Sequence, residues 1–482
     1  MVSEMWKHQV RAVTFAQTTP DVGLFYEAGT GKTRCMIEII RRTFAKENRL
    51  KKTLILAPLI VCENWKKEFA EYSKLKPWDI LVLTKSGARR GKDFVDAVGV
   101  DLAKSKIIIT NYESMQMKEF YDLIANWKPE ILVCDESQKV KNHESIRAKA
   151  VARLADYTAH NYILTGTPIL NSAQDVFMQF RILDRGETFG RNYYAFRNEY
   201  FYDKNAGFKS KQNYFPDWQP REDAYQRLQD KVRTKALRAV KSECLDLPPF
   251  VRQVVHCQMS NDQAKAYREM YADYITWIES KEGEPRAVLA QLAITKAIRL
   301  QQIVSGFAKS EDGDIHRLEC PRLKVLKELL EDLTPNHKVI IWSHFQENQA
   351  MVTELCKELK IGYSEIHGNV PKGQREDIMH AFRTDPKIRV MVANQSAGGV
   401  GVNLVEASYA IYFSKGFSLE ADLQSEARNF RGGSEIHEKV TRIDLVTPGT
   451  IDELITESLS NKQAIGDMIL SWKDRLKYAP PL

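Results

Sequence analysis

The chain has 482 residues, 43% of them hydrophobic, which is enough for at least two buried cores. Lysine and arginine outnumber aspartate and glutamate by 70 to 63, a formal net charge of +7 that permits a polyanionic partner without requiring one. No stretch approaches the roughly 18 to 20 uninterrupted apolar residues of a membrane span, Met1 to Lys7 lack the apolar core of a secretory signal, and the seven cysteines show no CxxC spacing. A soluble intracellular protein with reduced thiols, and with neither zinc nor disulfides, is the expectation.

The first segment with chemistry in it is Gly29-Thr30-Gly31-Lys32-Thr33, which lies between an apolar run, Val22 to Tyr26, and a helical stretch, Cys35 to Arg42. Strand, phosphate loop and helix in that order form a nucleotide site. Glycines let backbone N–H groups turn toward phosphate oxygens, Lys32 reaches the β- and γ-phosphates, and the Thr33 hydroxyl ligates Mg2+. Tyr26 stands where the full GxxxxGK[ST] pattern has its first glycine, a departure usual in helicase-type loops.

Apolar runs then alternate with amphipathic segments: Thr53 to Leu59, Ile80 to Leu83, Lys106 to Thr110, Ile131 to Asp135 and Tyr162 to Thr165. This is the βαβ rhythm of a parallel sheet. Ile131 to Asp135 ends in two adjacent acids, Asp135 and Glu136, where such a sheet places a site. Asp135 is expected to hold Mg2+, often through water, and Glu136 to polarise the water that attacks the γ-phosphate. The bland alternative is a solvated acidic turn.

From about Phe180 to Pro249 the rhythm fails, and the segment is aromatic and basic, with Tyr193, Tyr194, Phe196, Tyr200, Phe201, Tyr202, Tyr214, Phe215 and Trp218. A largely helical insertion is expected there. Lys231, Arg233, Lys235, Arg238 and Lys241 occur with no acid between 231 and 241, which reads equally well as a solvated helix face or a polyanion contact. Helical spacing continues from Asn261 to Phe307. The βα rhythm resumes at Lys338 to Trp342, Tyr363 to Ile366, Val390 to Ala393, Tyr409 to Phe413 and Thr441 to Val446, with no second phosphate loop. The expected organisation is a first core at 1–180, helical insertions and linker at 181–314, and a second core at 315–482. The nucleotide is expected in the cleft between cores, completed by Arg428 and Arg431, three apart on one face of a predicted helix.

In order, these segments resemble the Swi/Snf-like ATPases, double-stranded DNA translocases of helicase superfamily 2, across nearly the whole chain. The resemblance is carried by Gln9 in Trp6-Lys7-His8-Gln9, Leu56-Ala57-Pro58-Leu59 with Asn64-Trp65-Lys66-Lys67-Glu68-Phe69, Ile109 to Glu113, Asp135 to Asn142 and Leu164 to Asn171. More specific to this family are Leu237 to Cys244 with Leu247-Pro248-Pro249, and Ile298 to Ile303. Gln395 to Leu404 resembles the glycine-rich segment, and Gln424 to Arg431 the last motif.

The resemblance implies an α/β fold of two RecA-like parallel-sheet cores with helical insertions between them, using ATP and Mg2+ to move along duplex DNA. Gln9 would read adenine, and Gly29, Thr30, Gly31, Lys32, Thr33, Gly401 and Gln424 would contact the nucleotide. Pro58, Thr110, Thr167, Ser396, Gly398, Gly399 and Asn403 would contact double-stranded or branched DNA. Gln138 and Phe430 replace usual histidines, and Gly433-Ser434 replaces a usual Gly-Gln, so altered coupling is expected in an active enzyme. Family-like residues run from Gln9 almost to the C-terminus, which suggests a compact bacterial or viral repair, recombination or replication motor, targeted by DNA structure or by a separate protein partner. The alternatives are a strand-separating or branch-migrating helicase and an ATP-gated DNA-binding scaffold.

Overall fold

The structure is a computed structural model that describes residues 4–461 except 60, 86–87, 100–105, 167–172, 207–215, 245, 281–285, 311–313, 369 and 396–402. The chain forms two compact units that meet in sequence at Asp246/Leu247. The segment from 181 to 314 is thus shared between them.

Strands of the first unit are β1 (Val22–Tyr26), β2 (Thr53–Ala57), β3 (Ile80–Leu83), β4 (Ile107–Asn111), β5 (Ile131–Asp135), β6 (His160–Thr165), β7 (Phe201–Asp203), β8 (Trp218–Pro220) and β9 (Ala236–Ala239). Seven of them make one sheet in the order β3-β4-β2-β5-β6-β1-β9, every neighbouring pair parallel. β7 and β8 pair separately as an antiparallel ribbon. Because side chains alternate along a strand, Leu54 and Leu56 enter one apolar cluster while Ile55 and Ala57 enter another. Ile108 and Leu132 likewise face the first cluster, and Ile109 and Val133 the second. Helices cover both faces, which is why these strands read as continuous apolar runs.

The second unit repeats this plan with β10 (Phe250–His256), β11 (Phe307–Lys309), β12 (Ile315–Arg317), β13 (Val339–Ser343), β14 (Gly362–Ile366), β15 (Ile388–Asn394), β16 (Tyr409–Tyr412) and β17 (Val440–Val446). Its six-stranded parallel sheet has the order β10-β17-β16-β13-β15-β14. Val339 and Ile341 pack on one face, Ile340 and Trp342 on the other. A further apolar cluster joins the helices Asn261–Ser280, Arg286–Val304 and Ile451–Asn461 through Tyr267, Leu300 and Ile455.

The expected strands are all present, and among the described residues six more, β7 to β12, were not foreseen. β9 and β10 lie inside the segment expected to be helical, and each extends the edge of a sheet. Much of the aromatic insertion is core: Phe196, Tyr200 and Phe201 are buried with Phe177 and Phe189. Tyr214 and Phe215 lie outside the described residues. Among the described residues no helix is long and apolar enough to cross a membrane.

Candidate active site

All strands of the first sheet run the same way, so the C-terminal ends of β1, β5 and β6 share one edge. That edge collects the phosphate loop after Tyr26, the acids at 135 and 136, and Thr165. The loop enters the helix Lys32–Glu47 through Gly31, whose φ of +82° is left-handed. A Cβ at Gly31 would also stand 2.2 Å from Nε2 of Gln9, so a side chain there would displace the Gln9 amide as well as strain the backbone. Gln9 is buried; its Nε2 donates to the Thr30 carbonyl at 3.3 Å, and its Oε1 accepts from the Trp6 N–H at 3.0 Å. Lys32, itself buried, donates to the Tyr26 carbonyl at 2.8 Å, while Thr33 is half-buried in the first helical turn. Beside the loop lies a cavity of about 700 Å3 lined by Trp6, His8, Arg11, Tyr26, Arg238 and Cys244. Its size falls in the range of small-ligand sites.

Asp135 is buried on a strand end. The Trp65 indole N–H donates to its Oδ2 at 2.9 Å, and the Glu136 N–H to its Oδ1 at 3.0 Å. Burial, then the neighbouring Glu136 charge, push its carboxyl up to about 7, against the opposing pull of Lys32 and the Trp65 N–H. Positive charge is therefore short at this carboxylate. A hard divalent cation would supply it, and the oxygen donors of Asp135 and Thr33 would suit Mg2+.

Glu136 has a φ of +51°, a left-handed conformation uncommon outside glycine and frequent at functional sites. Gln138 Nε2 donates to its Oε2 at 2.8 Å, and Gln138 Oε1 accepts from the Thr165 hydroxyl at 2.7 Å. An amide side chain donates and accepts at once, so it links the carboxylate to the end of β6. β9 adds another tie: the Glu27 N–H donates to the Ala239 carbonyl, and the Lys241 N–H to the Glu27 carboxylate at 2.9 Å. Trp65, Tyr112, whose hydroxyl donates to the Asp135 carbonyl at 2.7 Å, and Glu27 were given no role by sequence reasoning. The first two lie in the family-like segments, and their apolar settings hid the polar use of their tips.

In the second unit the expected helix through both arginines is not formed. The helix Leu419–Glu426 stops short of Arg428, which lies in the following turn, where its carbonyl accepts from the Leu404 N–H at 2.9 Å. Gln424, on that helix, donates to Glu420 at 3.2 Å. Arg442 of β17 holds the helix in place by buried pairs to Asp422 at 2.8 Å and Glu426 at 3.0 Å, and by a third to Asp444 at 2.9 Å.

Among the expected DNA contacts, Thr110 is fully buried, and its hydroxyl donates to the Leu83 carbonyl at 2.8 Å. Pro58 and Asn403 are half-buried. Thr167, Ser396, Gly398, Gly399 and Gly401 lie outside the described residues. The basic run from 231 to 241 is no uniform patch, because Lys235 pairs with Glu187 at 2.9 Å and Lys231 lies over the Phe189 and Tyr200 rings.

A family profile described as SNF2-related domain matches residues 8–306, and one described as Helicase conserved C-terminal domain matches residues 321–433. The chain is 24% identical to human DNA repair and recombination protein RAD54B, covering 91% of this chain and 51% of that protein. It is also 24% identical to the CHD3-type chromatin-remodeling factor PICKLE of Arabidopsis thaliana, covering 92% and 32%. For the putative ATP-dependent helicase/translocase YwqA of Bacillus subtilis the identity is again 24%, covering 92% and 46%. The chain thus spans about a third to a half of the length of these relatives. A solved SWI2/SNF2 ATPase core of Sulfolobus solfataricus in complex with dsDNA is similar at a TM-score of 0.44 and 22% identity, covering 99% of this chain and 96% of that one. With the strand-end loop and acidic pair in place and one profile spanning more than half of its length, the chain belongs to the SNF2-related family of helicase superfamily 2.

Proposed function

We propose that this chain is a DNA-dependent ATPase that translocates along duplex DNA. The observation that carries the reading is the acidic pair of buried Asp135 and half-buried Glu136, held on the same sheet edge as the phosphate loop and tied through Gln138 to Thr165. In the reaction, Glu136 accepts a proton from water as the water oxygen bonds to the γ-phosphorus and the bond from that phosphorus to the bridging oxygen breaks. Lys32 and the loop amides hold the phosphates. Bound Mg2+, held by Thr33 and Asp135, would neutralise charge on the phosphate oxygens. Arg428 and Arg431 are proposed to add positive charge to the transition state, and Gln424 and Gly401 to contact the nucleotide. Gln9, already against the loop, is proposed to read the base.

Duplex DNA as the track is supported by the net charge of +7 and by relatives named for DNA repair and for helicase or translocase activity. Pro58, Thr167, Ser396, Gly398, Gly399 and Asn403 remain the proposed phosphate contacts. A role in repair, recombination or replication is part of the same proposal. The test compares ATP turnover with duplex, single-stranded, forked and junction DNA, and pairs it with third-strand displacement from a triplex. Duplex should stimulate turnover, and the third strand should leave while the underlying duplex stays paired. A protein that melts tailed duplex yet leaves the third strand in place is a strand-separating helicase, and the translocase reading falls.

A further inference from the structure

The first unit carries a groove of about 770 Å3 that the ATPase reading leaves unused. It runs between the helices Ile146–Ala155 and Asp175–Leu183 and the start of Tyr193–Tyr200. Its floor is apolar and aromatic, with Phe177, Met178 and Tyr193, and at its mouth Ile146 is 67% and Tyr194 55% exposed. His143 stacks on Tyr193 with ring centroids 3.4 Å apart, and its buried Nε2 has no hydrogen-bond partner. The charged groups that line the groove are all basic: Lys149, Arg153, Arg181 and Arg191. Asp156 engages Arg181 at 2.7 Å and lies 3.9 Å from Arg191, while Lys149 and Arg153 are exposed and in no ion pair among the described residues.

We infer that this groove docks an acidic, amphipathic peptide segment of a separate protein, with aliphatic or aromatic anchors on the floor and carboxylates against Lys149 and Arg153. An apolar floor with charge confined to its rim is the arrangement of peptide-in-groove recognition, where a few anchors carry the affinity and the rim gives selectivity. A nucleic-acid backbone makes the opposite demand, since it is held by rows of cations and gains nothing from buried Phe177 or Met178. The net positive charge of the rim selects against basic segments. Exposed Ile146 and Tyr194 together on one groove also exceed the scattered single apolar residues normal for a surface.

The probe is a fluorescent synthetic peptide alternating glutamate with leucine and phenylalanine, titrated against the full chain by anisotropy. A second peptide has lysine in place of glutamate, and a third probe is labelled duplex DNA. Two variants at exposed positions are compared, Ile146→Asp and the double change Lys149→Glu with Arg153→Glu, each checked for an unchanged melting temperature. The acidic peptide should bind and the lysine peptide should not. Each variant should weaken acidic-peptide binding about 10-fold or more, which is about 1.4 kcal/mol or more, while duplex affinity and basal ATP turnover stay unchanged. Absence of acidic-peptide binding, or binding untouched by both variants, overturns the inference. So does a charge-reversal variant that loses duplex binding while Ile146→Asp changes nothing, because the groove would then be part of a nucleic-acid track.

Discussion

Lys32 and Glu136 occupy the same sheet edge but are proposed to enter the reaction at different points, so their variants should separate binding from chemistry. Lys32→Ala should lose turnover together with nucleotide affinity, because the ammonium meets the phosphates before and during the reaction. Glu136→Gln should keep ATP affinity and lose roughly 10²- to 10⁴-fold in turnover, the usual contribution of a general base. Fluorescent-nucleotide titration and steady-state turnover distinguish the two, and wild-type turnover in Glu136→Gln would remove its assignment as base. Trp65→Phe tests the support of the acidic pair. It keeps the ring's apolar packing but strips the 2.9 Å bond from Asp135, which leaves a buried acceptor short of a donor. Stability should fall by about 1–3 kcal/mol in urea denaturation.

Two supporting elements decide where reactive groups stand. β9 lies against β1 so closely that a Cβ on Gly23 would come 3.0 Å from that of Ala236 and 3.3 Å from Cγ1 of Ile163. Gly23→Val should therefore overpack the sheet by about 1–3 kcal/mol. It should also weaken nucleotide binding, since β9 delivers the Lys241 N–H to Glu27 just before the loop. Unchanged stability in that variant would mean the edge strand shifts freely. In the second unit, Arg442 lies over the Tyr412 ring at 3.8 Å and pairs with buried Asp422 and Asp444 and half-buried Glu426. Arg442→Ala takes the arginine from buried Asp422, while Glu426 keeps Arg252 at 2.5 Å and Asp444 keeps Lys415 at 3.6 Å, and should cost about 3–5 kcal/mol. Because Asp422 and Glu426 belong to the helix leading into Arg428, the same variant should lower turnover under conditions where the protein is still folded.

At the scale of the whole molecule, acid acts through histidines in both units. Burial holds the imidazoles of His160 and His344 below their ordinary value of 6.5. The unfolded chain then binds these protons first, so the histidine contribution is full above about pH 6.5 and declines as pH falls below it, whereas Asp135, raised to about 7, acts in the opposite direction over the same range. Melting temperature measured from pH 8 down to about pH 5 should therefore fall less steeply in His344→Gln than in the parent chain, and that difference isolates the histidine part. DNA binding has a different signature. If lysine and arginine contacts to phosphate hold the track, affinity should fall steeply as salt rises, linearly in the logarithm of both quantities. A salt-independent affinity measured by filter binding would rule out phosphate tracking.

The local sequence by itself determined the central strands, the phosphate loop and the acidic pair. Continuous apolar runs such as Thr-Leu-Ile-Leu-Ala at Thr53–Ala57 specify strands covered on both faces, and Gly29 to Thr33 needs only its own backbone to turn N–H groups outward. The edge strands β9 and β10 were not legible. Ala-Leu-Arg-Ala and Phe-Val-Arg-Gln-Val-Val-His mix polar and apolar residues, and only the ladder of a neighbouring strand makes such segments extended. Tertiary structure also decided the polar ties. Trp65 meets Asp135 across 70 residues and Gln138 meets Thr165 across 27, distances over which periodicity carries no information. The helix expected to continue through Arg428 ends at Glu426, and beyond it the Arg428 carbonyl accepts from the Leu404 N–H, a partner that local sequence does not supply. Chemistry carried by one short segment could be read from the chain; chemistry assembled from distant segments appeared only once parallel strands brought their ends to a common edge.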